Sequence, residues 1–265
     1  MTLSVVIPFY NEHATLATLV DRVLAVELPE GGRAEILLVD DGSRDGSGTI
    51  AADYAARNAD RVRLISFPVN HGKGHAVRAG LEAATGDVCI IQDADLEYDP
   101  HDYLRILREY DDPQVTVVYG SRILGSVNRS YNRYYWGGRL VSFVTRLLFS
   151  TGITDEPTCY KSFRRAVLRE IELKADGFEF CPELTGKLLR AGHRIVEVPI
   201  SYTPRSFDEG KKIRASDGLK AIWTLVRIRI GLDRCCATPA AAENAVAGKP
   251  LEAQGGPRDH AGLSS

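Results

Sequence analysis

Short apolar runs alternate with helical segments along the first 120 residues, and this alternation limits the possible folds more than any other feature. The apolar, β-rich runs lie at residues 3–7, 36–39, 62–66, 88–91 and 115–119. Helical spacing of apolar residues fills the intervals at 12–25, 47–58, 74–84 and 102–110. Strands that alternate with helices of this length predict an α/β fold, a doubly wound and mostly parallel sheet with helices on both faces.

A cluster of acids directly follows the apolar run at 88–91: Asp93, Asp95 and Glu97. A run without polar residues is typical of a buried strand in a parallel sheet, whose carboxyl end is an edge where ligands bind. If the chain stayed extended beyond Gln92, the three acids would point to one side and repel one another unless a cation joined them. Oxygen ligands of this kind suit Mg²⁺ or Mn²⁺ rather than zinc.

Two further polar loops follow the first two strands, at residues 8–12 and 40–43. In an open α/β sheet, these strand ends share one crevice with the acid cluster. The ring of Tyr10 can stack on a nucleotide base, and a carboxylate from Glu12 or Asp40 can accept hydrogen bonds from that base. A turn is the alternative role for Asp40 and Asp41, because Gly and Ser follow them.

Two glycines flank Lys73 just ahead of a predicted helix, where backbone N–H groups favour phosphate. The sequence has neither a P-loop nor a G-x-G-x-x-G segment after the first strand. The segment is therefore consistent with contact to phosphate, without the glycine patterns of those two nucleotide-binding classes.

The charge pattern changes after residue 112. Residues 113–154 contain no acid and no lysine but five arginines, which are Arg122, Arg129, Arg133, Arg139 and Arg146. Apolar residues at helical spacing in 139–149 predict an amphipathic helix, and 216–232 predicts a second. Residues 205–234 carry eight basic residues against four acids. Both segments suit an anionic lipid surface, with packing of the two apolar faces on the sheet as the alternative.

Bulk composition excludes several classes of protein. A net charge of −2 does not support a nucleic-acid binder. Five cysteines without metal-site spacing fit no closed disulfide framework, which favours a cytoplasmic location. No apolar run reaches the length of a membrane-spanning helix, so the expected location is peripheral, on the cytoplasmic face of the membrane. We expect one catalytic domain over 1–234 and a disordered tail over 235–265, whose composition cannot bury a core.

The motifs match a known family in content and in order. They are Val5-Val6-Ile7-Pro8-Phe9-Tyr10-Asn11-Glu12, Val39-Asp40-Asp41-Gly42-Ser43, Asn70-His71-Gly72-Lys73-Gly74, Asp93-Ala94-Asp95 and Gly120-Ser121-Arg122. Over roughly the first 230 residues the chain resembles the family 2 glycosyltransferases, which have the GT-A fold. Thr158-Cys159-Tyr160-Lys161 and Glu197-Val198-Pro199-Ile200 make it most similar to polyprenyl-phosphate hexosyltransferases of the dolichol-phosphate mannose synthase type.

The resemblance implies a role for each matching residue. Pro8, Tyr10, Glu12, Asp40, Asp41 and Lys73 would bind the nucleotide sugar. Asp93 and Asp95 would hold Mg²⁺ or Mn²⁺, with Glu97 as a third ligand where such enzymes often have Gln. Arg122 with Arg129 or Arg133 would meet the acceptor phosphate, and Arg205 and Lys211 would reach phosphates as a loop closes. Asp155 and Glu183 would recognise the sugar. Of these, Asp95, Arg122 and Arg205 are assigned to catalysis.

The expected reaction is an inverting, metal-dependent transfer of mannose or glucose to a polyprenyl phosphate. GDP-mannose has a slight preference over UDP-glucose, from the resemblance alone. The main alternative is a hydroxyl acceptor in surface polysaccharide synthesis, with Glu183 or Asp155 as base. A nucleotidyltransferase is disfavoured because Phe9-Tyr10-Asn11-Glu12 stands where it needs a Gly-rich basic loop. A catalytically silent subunit that binds nucleotide sugars or the membrane is the alternative from another class.

Overall fold

The computed structural model describes residues 1–125, 132–204 and 215–233. The strands of this described part are β1 (Thr2–Phe9), β2 (Arg33–Asp40), β3 (Val62–Ser66), β4 (Val88–Ile91), β5 (Val117–Ser121), β6 (Lys161–Arg164) and β7 (Ile195–Pro199). The α-helices are α1 (Leu16–Leu24), α2 (Ser47–Arg57), α3 (Lys73–Ala83), α4 (Tyr103–Arg108), α5 (Asn132–Phe149), α6 (Phe180–Arg190) and α7 (Ala215–Arg229). Short 3-10 turns lie at Pro29–Gly31, Pro100–Asp102, Glu109–Asp111 and Arg165–Arg169.

These strands form a single sheet in the order β3-β2-β1-β4-β6-β5-β7. Strand β6 runs antiparallel to β4 and β5, and the other neighbouring pairs are parallel. The prediction of a mostly parallel α/β sheet is confirmed. Because β1, β2, β4 and β5 run in one direction, their carboxyl ends meet at one edge, where Phe9 pairs with Asp40 and Val6 with Ile91.

The central strands are buried on both faces. Residues 3–9 of β1 are buried without interruption, as are 88–91 of β4 and 117–121 of β5. Successive side chains of a strand point to opposite faces, so an unbroken buried run requires cover on both sides. Helix α3 packs so close to β1 that a Cβ at Gly80 would collide with the side chain of Val6. The helices thus fix the sheet whose edge carries the polar loops.

Two elements differ from the sequence-based expectation. Strand β6 was not predicted, because Lys161 and its polar neighbours give no apolar run. Lys161 is fully buried all the same, beside Glu156 and with its Nζ 4.1 Å from the centre of the Tyr119 ring. Helix α5 begins at Asn132 rather than at 139. Two adjacent glycines at 137–138 interrupt the apolar periodicity, so the first turns of α5 were not predicted.

Several predicted site residues fall outside the described residues: Arg129, Arg205 and Lys211. The predicted tail over 235–265 lies outside them as well, so the domain limits stay a prediction. Arg133 belongs to α5, where the structure describes only its backbone.

Candidate functional site

The loops after β1 and β2 are tied together at the carboxyl edge of the sheet. The backbone N–H of Asn11 donates to Ser43 Oγ at 3.0 Å, and the N–H of Glu12 donates to Ser47 Oγ at 2.9 Å. Asn11 has a φ of 55°, a left-handed conformation that Asn tolerates better than most residues. This turn places the half-buried Tyr10 and Glu12 beside the β2 loop, as their predicted shared crevice requires.

Asp40 and Asp41 are both buried, and the carboxylates of both accept backbone N–H groups. Asp40 Oδ1 accepts the N–H of Ser43 at 2.8 Å. The two oxygens of Asp41 accept the N–H groups of His71 and Gly72, at 2.8 and 2.7 Å. Asp41 therefore fastens the β2 loop to the segment that leads into α3, and only Asp40 has the contact of a local turn.

The acid loop, residues 92–99, is a compact turn and not an extended strand. The condition under which the three acids would point to one side, an extended chain beyond Gln92, is not met, because β4 ends at Ile91 and Leu96 has a φ of 62°. Asp95 Oδ1 accepts the N–H of Glu97 at 3.2 Å within this turn. The three acids thus lie in one tight turn, within which the Asp95 carboxylate binds the backbone of Glu97.

Buried tyrosines anchor the beginning of the acid loop. The side-chain oxygen of Gln92 accepts hydrogen bonds from the hydroxyls of Tyr103 at 2.6 Å and Tyr160 at 2.7 Å. Its Nε2 donates to the carbonyl of Asp93 at 2.8 Å, and the N–H of Asp93 donates to Cys159 Sγ at 3.1 Å. The beginning of the acid loop is thus anchored by Gln92 and Cys159, for which the sequence patterns predicted no role in the site.

Lys73 forms an ion pair with Asp93, with its Nζ 2.5 Å from Oδ1. Burial alone would lower the pKa of Lys73, but the charge of Asp93 raises it above the ordinary value of lysine. The ammonium group therefore stays charged and places a cation at the first acid of the cluster. This pairing brings the glycine-flanked lysine and the acid cluster into one site, which sequence spacing did not reveal.

The N-terminus of α3 is occupied by another loop of the protein. The N–H groups of Gly74 and His75 donate to the carbonyl of Asp176, at 2.7 and 3.2 Å. A Cβ at Gly74 would lie 2.9 Å from the Cβ of Phe180 and would collide with the carbonyl of Ala175. The glycine is needed for this close packing. Its N–H has an internal acceptor, the carbonyl of Asp176, and does not point to a phosphate position in this structure.

Arg122 lies directly after β5 and is held by Asp155 through two parallel hydrogen bonds. Its Nε and Nη2 donate to the two carboxylate oxygens at 2.8 and 2.7 Å, and its backbone N–H donates to the same group at 2.9 Å. The N–H groups of Thr154 and Asp155 donate to Glu197, at 2.7 and 3.0 Å. Burial raises the pKa of Glu197 above its ordinary value, in spite of these two donors.

Glu183 lies in the first turn of α6 and is buried among internal partners. Its carboxylate accepts the N–H groups of Lys174 at 3.0 Å and Ala175 at 2.8 Å, and it pairs with Lys187 Nζ at 2.6 Å. These contacts fix the loop that packs on the start of α3. They also place Glu183 among backbone donors instead of at the acid loop.

Helices α5 and α7 pack together and leave large apolar side chains exposed. On α5 the exposed residues are Trp136, Leu140, Phe143 and Leu147, and at or just beyond α7 they are Leu219, Trp223, Ile230 and Leu232. Val141 and Leu225 are buried on the opposite sides of these helices. Packing among the described residues thus accounts for one face of each helix and leaves apolar side chains on the second face exposed. Among the described residues, no helix is both long and apolar enough to cross a bilayer.

Comparison with known proteins identifies the family. Residues 4–172 match the family model described as glycosyl transferase family 2. The polyprenol monophosphomannose synthase of Mycolicibacterium smegmatis is 33% identical over 242 residues, which are 87% of this chain and 88% of that protein. An undecaprenyl-phosphate 4-deoxy-4-formamido-L-arabinose transferase from Enterobacter sp. (strain 638) is 29% identical over 211 residues, or 78% of this chain. The chain spans only 62% of the length of the Enterobacter protein.

A solved structure shares the fold at low sequence identity. Glucosyl-3-phosphoglycerate synthase from Mycobacterium tuberculosis, in complex with Mn²⁺, UDP and phosphoglyceric acid, superimposes with a TM-score of 0.64 at 20% identity. The match covers 86% of this chain and 78% of that one. The expected GT-A fold is confirmed by this likeness. Together with the family match over most of the sequence, it shows that the chain belongs to glycosyl transferase family 2.

Proposed function

We propose that this protein transfers a hexose from a nucleotide diphosphate sugar to a polyprenyl phosphate, with inversion and with a divalent metal ion. The observation that carries the proposal is the arrangement of two charged centres at one sheet edge. The acid loop follows β4, and Arg122, paired with Asp155, follows β5. Helices α5 and α7 of the same domain expose large apolar side chains. Relatives whose names specify polyprenol or undecaprenyl phosphate support the choice of acceptor.

The donor nucleotide is assigned to the joined loops after β1 and β2. Pro8 and Tyr10 would line the base and ribose, and Glu12 and Asp40 would accept their donors. Asp41, whose oxygens hold the α3 segment, would shape this site indirectly. As the donor, GDP-mannose is slightly preferred over UDP-glucose, from the family resemblance alone.

The metal is assigned to Asp93 and Asp95, with Glu97 as a further ligand. Their carboxylates are the hard oxygen ligands that Mg²⁺ and Mn²⁺ prefer. Asp93 already binds one cation, the ammonium group of Lys73. Within the described residues, no three His, Cys, Asp or Glu side chains already converge as a complete metal site. We therefore assign the remaining ligands to the diphosphate of the donor. A divalent ion bound there supplies neutralisation of the charge on the departing diphosphate.

The acceptor phosphate is assigned to Arg122, together with Arg129, Arg133, Arg205 and Lys211. A phosphate oxygen attacks the anomeric carbon, and the bond from that carbon to the diphosphate breaks with its electron pair on the diphosphate. The attacking oxygen is already an anion, so no base has to remove a proton. This requirement agrees with the contacts of Asp155, which is engaged by Arg122.

The apolar faces of α5 and α7 are assigned to the surface of the membrane that holds the acceptor. Exposed cations flank these faces: Arg139, Arg146, Lys220, Arg227 and Arg229. Each cation near an anionic leaflet contributes about 1 kcal/mol, which suffices in sum for reversible docking. This arrangement supports a peripheral protein on the cytoplasmic face.

The proposal is tested by incubating the protein with undecaprenyl phosphate in liposomes and a panel of labelled nucleotide sugars. We expect one label to enter an organic-soluble product that mild acid cleaves, and we expect a chelator to stop its formation. Omission of undecaprenyl phosphate is the control. Transfer to a water-soluble saccharide in place of the lipid would refute the acceptor assignment and favour a hydroxyl acceptor.

A further inference from the structure

Tyr202 lies between the acid loop and the acceptor arginine and contacts both. Its hydroxyl donates to Glu97 Oε2 at 2.9 Å. On the other side, the guanidinium carbon of Arg122 lies 5.2 Å from the centre of the Tyr202 ring. One side chain thus joins a carboxylate assigned to the metal with a cation assigned to the acceptor phosphate.

The backbone around Tyr202 is fixed to the acid loop as well. The N–H of Thr203 donates to the carbonyl of Glu97 at 2.9 Å, and Tyr202 forms an antiparallel bridge with Tyr98. The rings of Tyr98 and Tyr202 meet edge to face, with centres 5.5 Å apart. The segment after β7 is therefore fixed to the acid loop by one isolated bridge and one further backbone hydrogen bond, which leaves Tyr202 little freedom to turn away.

The two contacts of Tyr202 are chemically separable. The hydroxyl supplies a hydrogen bond that orients a carboxylate, and the ring supplies a face for a cation. The guanidinium of Arg122 is anchored on its other side by the two oxygens of Asp155. A change at the hydroxyl is therefore expected to affect Glu97 without releasing Arg122.

We propose that Tyr202 is a positioning residue that links the two halves of the site. Its hydroxyl orients Glu97 toward the metal position, and its ring holds Arg122 toward the acceptor phosphate. The identities of the metal ion and the acceptor phosphate rest on the proposed function. The link between Glu97 and Arg122 rests on the contacts of Tyr202. Partners that orient a metal ligand commonly change metal affinity by 10- to 100-fold when removed.

The test compares the Y202F and Y202L variants with the wild-type protein. Mn²⁺ binding is titrated by electron paramagnetic resonance in the presence of GDP and, separately, UDP. The KM for undecaprenyl phosphate is measured in parallel. For Y202F we expect about tenfold weaker Mn²⁺ binding and an acceptor KM within about twofold of wild type, because the ring remains under Arg122. For Y202L we expect the same loss of Mn²⁺ affinity and an acceptor KM raised about fivefold.

The matched control is Y54F, which also removes a hydroxyl bound to a carboxylate. Tyr54 donates to Asp21 at 2.6 Å, between α1 and α2 and away from the acid loop. Y54F is expected to bind Mn²⁺ as the wild type does. Because Tyr202 acts through Glu97, Y202F combined with E97Q should bind Mn²⁺ no more weakly than E97Q alone.

Wild-type Mn²⁺ affinity in Y202F would overturn the proposal, and so would equal acceptor KM values for Y202F and Y202L. Additive losses in the Y202F and E97Q pair would overturn it too, since the hydroxyl would then act elsewhere. Failure of the proposed function has a different signature. The wild-type protein would then make no polyprenyl product, while the direct Mn²⁺ titration would still report on the link between Tyr202 and Glu97.

Discussion

The pair formed by Arg122 and Asp155 allows a quantitative prediction about stability. The side chain of Asp155 is 4% exposed and that of Arg122 is 24% exposed. Removing one partner of a buried ion pair costs about 3–5 kcal/mol, because the other charge is left without compensation. The part of Arg122 that reaches solvent regains some hydration, so the lower end of this range applies. We expect D155N to lose about 3 kcal/mol of unfolding free energy.

The assay is urea-induced unfolding followed by circular dichroism, on D155N, R122Q and the double variant. The double-mutant cycle is expected to give a coupling of about 2 kcal/mol between the two side chains, since they are in direct contact. The control cycle uses Arg57 and Asp53, an exposed pair one turn apart on α2 whose side chains are 74% and 49% exposed. Its coupling should not exceed about 0.5 kcal/mol.

Equal coupling in the two cycles would refute this reasoning, because burial would then contribute nothing to the site pair. A loss below about 1 kcal/mol in D155N would refute it also, since that is the range of exposed pairs. Either result would mean that Arg122 is positioned by contacts other than the two hydrogen bonds that it donates to Asp155.

Two further predictions concern the scaffold. G74A should destabilise the protein by about 1–3 kcal/mol in urea unfolding, because its Cβ collides with the carbonyl of Ala175. The control, G137A, lies at a helical position where a Cβ meets nothing within 4 Å and should be neutral or slightly stabilising. Equal effects of the two substitutions would contradict the packing argument. For Glu35, burial raises the pKa, but hydrogen bonds, that from Ser4 foremost, outweigh it and lower the pKa below the ordinary 4.5. The ionised Glu35 therefore stabilises the folded protein above about pH 4.5, and this contribution is lost as the pH falls through the lower folded-state pKa. The difference in unfolding free energy between wild type and E35Q should shrink below about pH 4.5. A constant difference down to about pH 3 would contradict this.

The sequence was sufficient for the sheet wherever burial is continuous. Strand β4 has the predicted bounds 88–91, because an uninterrupted and fully buried apolar run has few alternative structures in an α/β protein. The bounds 62–66 of β3 were also predicted, although this strand contains Arg63 and only Val62 in it is buried. The shared edge followed from parallel strand direction alone. Strand β6 escaped prediction because its buried Lys161 is stabilised by Glu156 and the ring of Tyr119, partners that only the folded chain brings together.

The sequence was sufficient to predict which charged residues belong to the candidate site, but not which contacts these residues make. The acids after β4 were recognisable because carboxylates at a strand end need a cation or a turn. The pairing of Lys73 with Asp93 and the link through Tyr202 join residues far apart in the chain, and local periodicity carries no information on such contacts. Tyr202 had one usable signal, since it closely follows the carboxyl end of β7, a parallel strand of the same sheet.

The central claim is that the acid loop holds a divalent ion without which the diphosphate cannot depart. Its most direct test is a single-turnover assay of D95A with undecaprenyl phosphate and the labelled donor that the wild type uses. Urea unfolding confirms that the variant is folded. We predict that label transfer falls at least about 1,000-fold, comparable to the loss of one preorganised stabilising group, and that a chelator abolishes the wild-type reaction. Transfer by D95A at the wild-type rate, or a wild-type rate that a chelator leaves unchanged, would contradict the claim.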